Sequence, residues 1–265
     1  MRTVLFSVLL VVGSLTPNLS WAYRPFIATD AAVADPKEVE IELGYFTLDR
    51  ENGQNSFVIP RVVFNYGLFQ NWEAVAEFAV LRASNTDLNL IDPALSLKAV
   101  LKEGVLQEKE GVSVAVEVGL LLPSTVQRDH VGFEGDGIAS GRLGPFTFHL
   151  NGGLGIQRSN GNVYGIWGLI GECPIAGGFR LVGELDGDKV QRQEVGGSGL
   201  LGFIWQPWSS QSVAFDAGVR RRFSGAGPTW EFTFGVTFAF SPTSVGQRLI
   251  SVNEGHSAIT ETVGH

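Results

Sequence analysis

The chain has 265 residues, 44% of them hydrophobic and 11% aromatic, with a mean hydropathy of +0.14 and a formal net charge of −8. That acidic balance excludes nucleic acid as a partner, because phosphate binding needs a basic patch. The lone Cys173 excludes an internal disulfide framework, and 34 glycines and 18 phenylalanines beside one methionine suit a β protein better than a helical one.

At the amino terminus Met1-Arg2-Thr3 precedes an apolar run from Val4 to Leu15, and Ser20-Trp21-Ala22 sets small residues three and one before a cut. The pattern is that of a secretory signal peptide over 1–22. Its apolar run is too short to span a bilayer comfortably, and no cysteine follows to carry a lipid. Residues 23–36 are then expected as an N-terminal periplasmic segment or an inward-folded plug, with the flexible segment preferred. No later stretch is long and apolar enough for a transmembrane helix, yet alternation hides a barrel strand from averaged hydropathy.

Alternating segments follow in series. Glu38 to Leu48 sets Glu38, Glu40 and Glu42 against Val39, Ile41, Leu43 and Tyr45; Phe57 to Tyr66 sets Val58, Val62, Phe64 and Tyr66 against Arg61 and Asn65, with Pro60 interrupting the ladder. Trp72 to Leu81 opposes Trp72 and Phe78 to Glu73 and Glu77. Leu90 to Leu101 opposes Leu95, Leu97, Ala99 and Leu101 to Asp92, Ser96 and Lys98. From Val112 to Leu122 the even positions are Val or Leu and the odd ones include Ser113 and Glu117.

Glu134 to Leu143 is glycine-rich and ends at the turn Gly144-Pro145. Phe146 to Gln157 places His149 and Asn151 opposite Phe148 and Leu150. Val163 to Glu172 is ambiguous, with Trp167 and Leu169 on one face and Tyr164, Ile166 and Ile170 on the other. Phe179 to Asp186 turns Arg180, Glu184 and Asp186 away from Leu181 and Leu185. Glu194 to Trp205 precedes Val213 to Phe223, where Asp216, Arg220 and Arg222 oppose Phe215 and Val219. Thr229 to Phe240 closes the series with Trp230, Phe232, Phe234, Val236, Phe238 and Phe240 along one face.

A period of two with a wholly apolar, aromatic-rich face is the signature of strands facing lipid. The expected fold is all-β, an antiparallel transmembrane β-barrel of about 12 strands over 37–240, with a flexible C-terminal periplasmic tail at 241–265. A soluble sandwich also alternates, but it seldom carries aromatics to both strand ends, where Trp72, Trp205 and Trp230 would form interfacial girdles. Trp230, Phe238 and Phe240 make the terminal pattern read by barrel-assembly machinery. An even strand count leaves both ends in the periplasm of a Gram-negative outer membrane, with the loops around 49–56, 82–89, 123–132, 158–162, 187–193 and 224–228 outside. The stretch Lys102 to Gly111 is long for a periplasmic turn.

Several motifs resemble the outer-membrane proteins of the meta-pathway of phenol degradation. They are Thr29-Asp30-Ala31-Ala32 ahead of Glu40-Ile41-Glu42-Leu43-Gly44-Tyr45, Pro60-Arg61 leading to Asn65-Tyr66-Gly67-Leu68, Ile91-Asp92-Pro93-Ala94, Leu121-Leu122-Pro123-Ser124, and Gly227-Pro228-Thr229-Trp230. The resemblance implies an outer-membrane barrel that passes small aromatic or other hydrophobic solutes, and it implies no catalytic residue. The tail beyond Phe240 departs from that pattern.

The expected lumen candidates are Arg61, Glu73, Glu77, Glu117, His149, Arg180, Glu184, Asp216, Arg220, Arg222 and Glu231, with Glu73, Glu77, Arg220 and Arg222 as the best selectivity cluster. Mixed charges of this kind either select solutes or pair off. His130 and His149 are the histidines in the barrel region; neither belongs to a hydrolase motif, and no His or Cys pair has ligand spacing, so no catalytic residue, metal or cofactor is expected. The glycine runs lack a following helix and are not phosphate loops. Two functions follow as expectations: a passive channel, or a structural or interaction barrel with a lumen closed by salt bridges. A membrane-embedded hydrolase ranks third.

Overall fold

The computed structural model describes residues 25–51, 54–83, 88–125, 130–208, 212–225 and 229–240; the proposed signal peptide and tail lie outside them. Twelve strands form one closed antiparallel barrel: β1 (Val39–Glu51), β2 (Gln54–Phe69), β3 (Trp72–Ala83), β4 (Asn89–Lys102), β5 (Ser113–Leu121), β6 (Gly132–Leu143), β7 (Phe146–Ile156), β8 (Val163–Pro174), β9 (Phe179–Val190), β10 (Val195–Trp205), β11 (Val213–Ser224) and β12 (Trp230–Phe240). Each strand pairs with its neighbours in sequence, and β1 pairs with β12 from Val39 opposite Phe240 to Arg50 opposite Trp230. Closure leaves no unpaired edge, the condition for sheet in a medium that offers no hydrogen bonds.

The alternation sorts the side chains. Leu95, Val118, Leu120, Leu150, Leu181, Leu201, Phe232 and Phe234 are exposed on the outside, whereas Glu40, Glu42, Glu73, Lys98, Glu184, Asp186 and Arg220 are buried inside. An apolar exterior around a polar interior suits lipid outside and water or polypeptide within. Aromatic side chains gather near both rims. Phe179 stacks on Trp205 at 5.2 Å, and Trp205 and Trp208 meet Phe215 at the rim where β1 begins and β12 ends. Trp230 stacks on Phe232 near the opposite rim.

Register shifts interrupt the ladder in several strands, β1 and β4 among them. In β2 the register against β3 shifts between Val58 and Arg61. The expected face of Val58 is therefore reversed: Val58 is buried inward while Phe57 and Ile59 are exposed. The irregularity at Pro60 consumes one step of the period, so residues before and after it obey opposite parity. In β8 the ambiguity resolves with Val163, Trp167 and Leu169 outward and Ile170 fully inward. The Lys102 to Gly111 connection holds a short 3-10 turn, Val105–Gln107, and does not disturb the strand count.

The interior of a twelve-stranded barrel is wider than its own side chains fill. Residues 25–36 run inside it as a strap. Asp30, Ala31, Ala32 and Ala34 are buried; Ala31 packs with Ala115 and Ile138, and Phe26 packs against Val182, Ile204 and Ala214. Small residues are required where the strap touches the wall, since a Cβ at Gly168 would lie 2.5 Å from the Ala28 Cβ. The strap enters through a continuation of the β1–β2 ladder, with Lys37 N–H donating to the Gly67 carbonyl at 2.7 Å and Gly67 N–H to that of Glu38 at 3.0 Å. Gly67 permits this approach, because a Cβ there would sit 1.9 Å from the Asp35 carbonyl oxygen.

Candidate functional site: the barrel lumen

Wall side chains hold the strap mainly by its backbone. Glu184 on β9 accepts the N–H groups of Ile27 and Ala28, the latter at 2.8 Å. Asn151 on β7 grips Thr29 twice, accepting its N–H at 3.0 Å and donating to its carbonyl at 2.7 Å. Ser140 on β6 accepts from Ala31 at 2.9 Å, Glu73 on β3 accepts from Ala34 at 2.6 Å, and Gln107 donates to the Ala31 carbonyl at 2.9 Å. Lys98 reaches Thr29 Oγ1 at 3.2 Å and Asp30 at 3.4 Å. A strap inside a barrel has no neighbouring strand to satisfy its amides, so wall side chains must do it.

Behind the strap, β8 to β11 carry a compact ionic core. Arg220 bonds to both Glu184 and Asp186, and also donates to Ser198 Oγ at 3.0 Å, while Ser198 donates to Asp186 at 2.7 Å. Arg180 pairs with Glu172 at 2.9 Å, and Arg222 stands 3.8 Å from Asp188. Arg220 is 3% exposed, so its charge is sustained by these carboxylates rather than by water.

His149 lies in the same wall. Its Nδ1 is 2.8 Å from Ser140 Oγ and its Nε2 is 3.2 Å from Glu172 Oε1. Ala31 N–H donates to the same Ser140 Oγ, so the hydroxyl is engaged by the strap amide on one side and the imidazole on the other. Serine, histidine and carboxylate are the residue types of a nucleophilic triad. Here both Ser140 and His149 are 0% exposed and a backbone amide faces the serine. The arrangement in this structure holds the strap and offers no surface to a substrate.

The opposite wall differs. Between the strap and β1 to β6 lies a cavity of about 450 Å³, lined by Glu40, Glu42, Glu73, Glu77, Glu117, Glu134 and Asp136 and extending to Asp186 and Asp188 on β9. Among the described residues Lys98 and Arg222 are the cations on its lining. At its margin Tyr164 donates to Glu134. Asp92 stands 3.6 Å from both Arg61 and Arg158, and Arg158 donates to the Leu122 carbonyl at 2.8 Å.

The sequence candidates are thus divided between two environments. Glu73, Glu77, Glu117 and Arg222 face the cavity, whereas Arg180, Glu184 and Arg220 belong to the ionic core and His149 lies under the strap. Glu73 and Glu77 share the cavity with Arg222, while Arg220 is drawn away by Glu184 and Asp186. Asp216 is buried opposite Ile204 and Gly235, and Glu231 is registered against Arg220. Arg61 sits beside Asp92. Trp230, Phe238 and Phe240 face outward on the strand that closes the barrel, and the rings of Phe238 and Phe240 stack at 6.3 Å. The sequence list lacks Ser140, Asn151 and Glu172; the first continues the inward series Asp136, Ile138, Ser140 that glycines obscure.

Among solved structures the fold is similar to an outer membrane channel from Pseudomonas putida F1, with a TM-score of 0.57 at 12% identity over 79% of this chain and 97% of that one. It is also similar to the KdgM porin, with a TM-score of 0.53 at 9% identity over 77% and 99% of the two chains. At these identities the likeness is one of fold. By sequence, no family model matches the chain and neither does any curated protein.

Proposed function

We propose that this chain is an outer-membrane channel, inserted with both ends in the periplasm, that passes small uncharged or cationic solutes without energy input. The acidic cavity of about 450 Å³ beside the strap is the observation that carries this reading. Carboxylates converging on a confined space with low-dielectric walls raise the local concentration of cations and repel anions. Small aromatic or hydrophobic solutes, implied by the resemblance to the phenol meta-pathway family, fit if they are neutral or positively charged; aromatic carboxylates are disfavoured. The structural likeness to porin-type barrels supports the membrane setting.

The test is planar-bilayer conductance of the full folded chain under a potassium chloride gradient. The expected reversal potential has the sign of cation preference; preference for chloride, or a barrel that never conducts, would overturn the proposal. A second reading, a structural barrel whose lumen is closed by charge pairs, is favoured by the Arg220–Glu184–Asp186 core and by the strap. Electrical silence together with impermeability to neutral sugars in liposome swelling is the result that would select it.

A further inference from the structure

The outward surface of β7 to β12 carries a furrow of about 580 Å³ whose lining is almost wholly apolar. Its floor is bare backbone, where Gly171 on β8 is registered against Gly183 on β9. Some glycines on this surface are covered by a ring from a nearby strand: a Cβ at Gly141 would strike Phe148, and one at Gly199 would lie 3.1 Å from the Phe223 ring. At Gly171, as at Gly152 on β7, nothing lies within 4 Å, and it is Gly171 that lines the furrow. Phe148, Leu185 and Leu201 stand around the open floor.

At the end of the furrow where β11 ends and β12 begins stands Arg221, whose guanidinium carbon is 5.0 Å from the Trp230 ring centroid. Its neighbours Arg220 and Arg222 point inward to carboxylates, and Arg221 points out. A cation on the lipid face is costly at mid-membrane but not at the interface, where lipid phosphates lie and tryptophans form the girdle. Trp230 is the first residue of β12, so Arg221 stands at that girdle.

We propose that this furrow is a specific lipid site: one acyl chain lies over Gly171 and Gly183, and the phosphate of the same lipid is bound by Arg221. The proposal rests on the reading that the barrel spans an outer membrane. A guanidinium held by a ring face presents its remaining N–H groups to a phosphate in a fixed geometry. A chain in the furrow replaces contacts that side chains supply elsewhere on the surface.

The test uses the full chain recovered folded from membranes, with dioleoyl phosphatidic acid and dioleoylglycerol as probes and bound lipid counted by native mass spectrometry. The native chain is expected to retain one phosphatidic acid with roughly tenfold preference over dioleoylglycerol. Arg221→Gln is expected to abolish that preference, Arg221→Lys to keep part of it, and Gly171→Leu to lower retention of both lipids. A preference undiminished in Arg221→Gln, or native-level retention by a folded Gly171→Leu, overturns the proposal. If Gly171→Leu fails to fold, the Arg221 variants, whose side chains point away from the lumen, carry the test alone. A barrel that holds phosphatidic acid but conducts nothing would overturn the channel reading and leave this one standing.

Discussion

The two walls of the lumen are built from the same residue types and do different things. On β8 to β11 every arginine that points inward meets a carboxylate: Arg180 with Glu172, Arg220 with Glu184 and Asp186, Arg222 with Asp188. On β1 to β6 most carboxylates face a cavity whose lining there includes the cation Lys98, which reaches toward Asp30 of the strap, while Arg61 stands beside Asp92. Charge that is matched at contact distance becomes structure. Charge of one sign gathered around space becomes a field.

Breaking the paired wall is expected to have the largest effect. Arg220→Met leaves Glu184 and Asp186 buried without their cation and is expected to destabilise the barrel by about 3–5 kcal/mol, read as urea unfolding in micelles. If the variant unfolds at the native midpoint, the ionic core is not what holds that wall. Next in size is Asn151→Ala, which removes both hydrogen bonds to Thr29 at a cost of roughly 1–3 kcal/mol. Its signature is faster hydrogen exchange at the strap amides with little change in global unfolding; unchanged exchange would mean that the strap is held elsewhere. The smallest effect is on the acidic wall, where Glu77→Gln with Glu117→Gln is expected to lower the cation-to-anion permeability ratio roughly threefold and leave the unfolding midpoint in place. A loss of stability comparable to that of Arg220→Met would erase the distinction between the walls.

Much of the barrel is legible in the period of two, because lipid outside and polar lumen inside impose opposite demands on successive residues. The strand series, the even count and the closing contact of Phe240 with the first strand follow from it, as the pairing with Val39 shows. Parity fails where the chain itself slips, as at Pro60, since an alternation rule carries no memory of a bulge. The lumen was less legible. A strand pattern says that Glu73 and Arg220 point inward but not across which register they meet, and it is register that pairs Arg220 with β9 and leaves Glu73 to the strap and cavity. Ser140 and Asn151 matter because a segment far away in sequence lies against them, and Glu172 because register brings His149 and Arg180 to it; no local pattern announces either.

That distance has a consequence for the order of events as the molecule assembles. The groups that receive residues 27–34 are Glu73, Ser140, Asn151 and Glu184, at sequence separations of 39, 109, 122 and 156 residues from the amides they bind. No sheet shorter than β3 to β9 presents all four, and Phe26 packs on Ile204 and Ala214 of β10 and β11 as well. The strap is made first and completes its docking only once β11 is in place, when loop closure on that scale has already been achieved by the strands. A docked N-terminus is therefore a record, written into the first residues of the described chain, that the last strands have found their places.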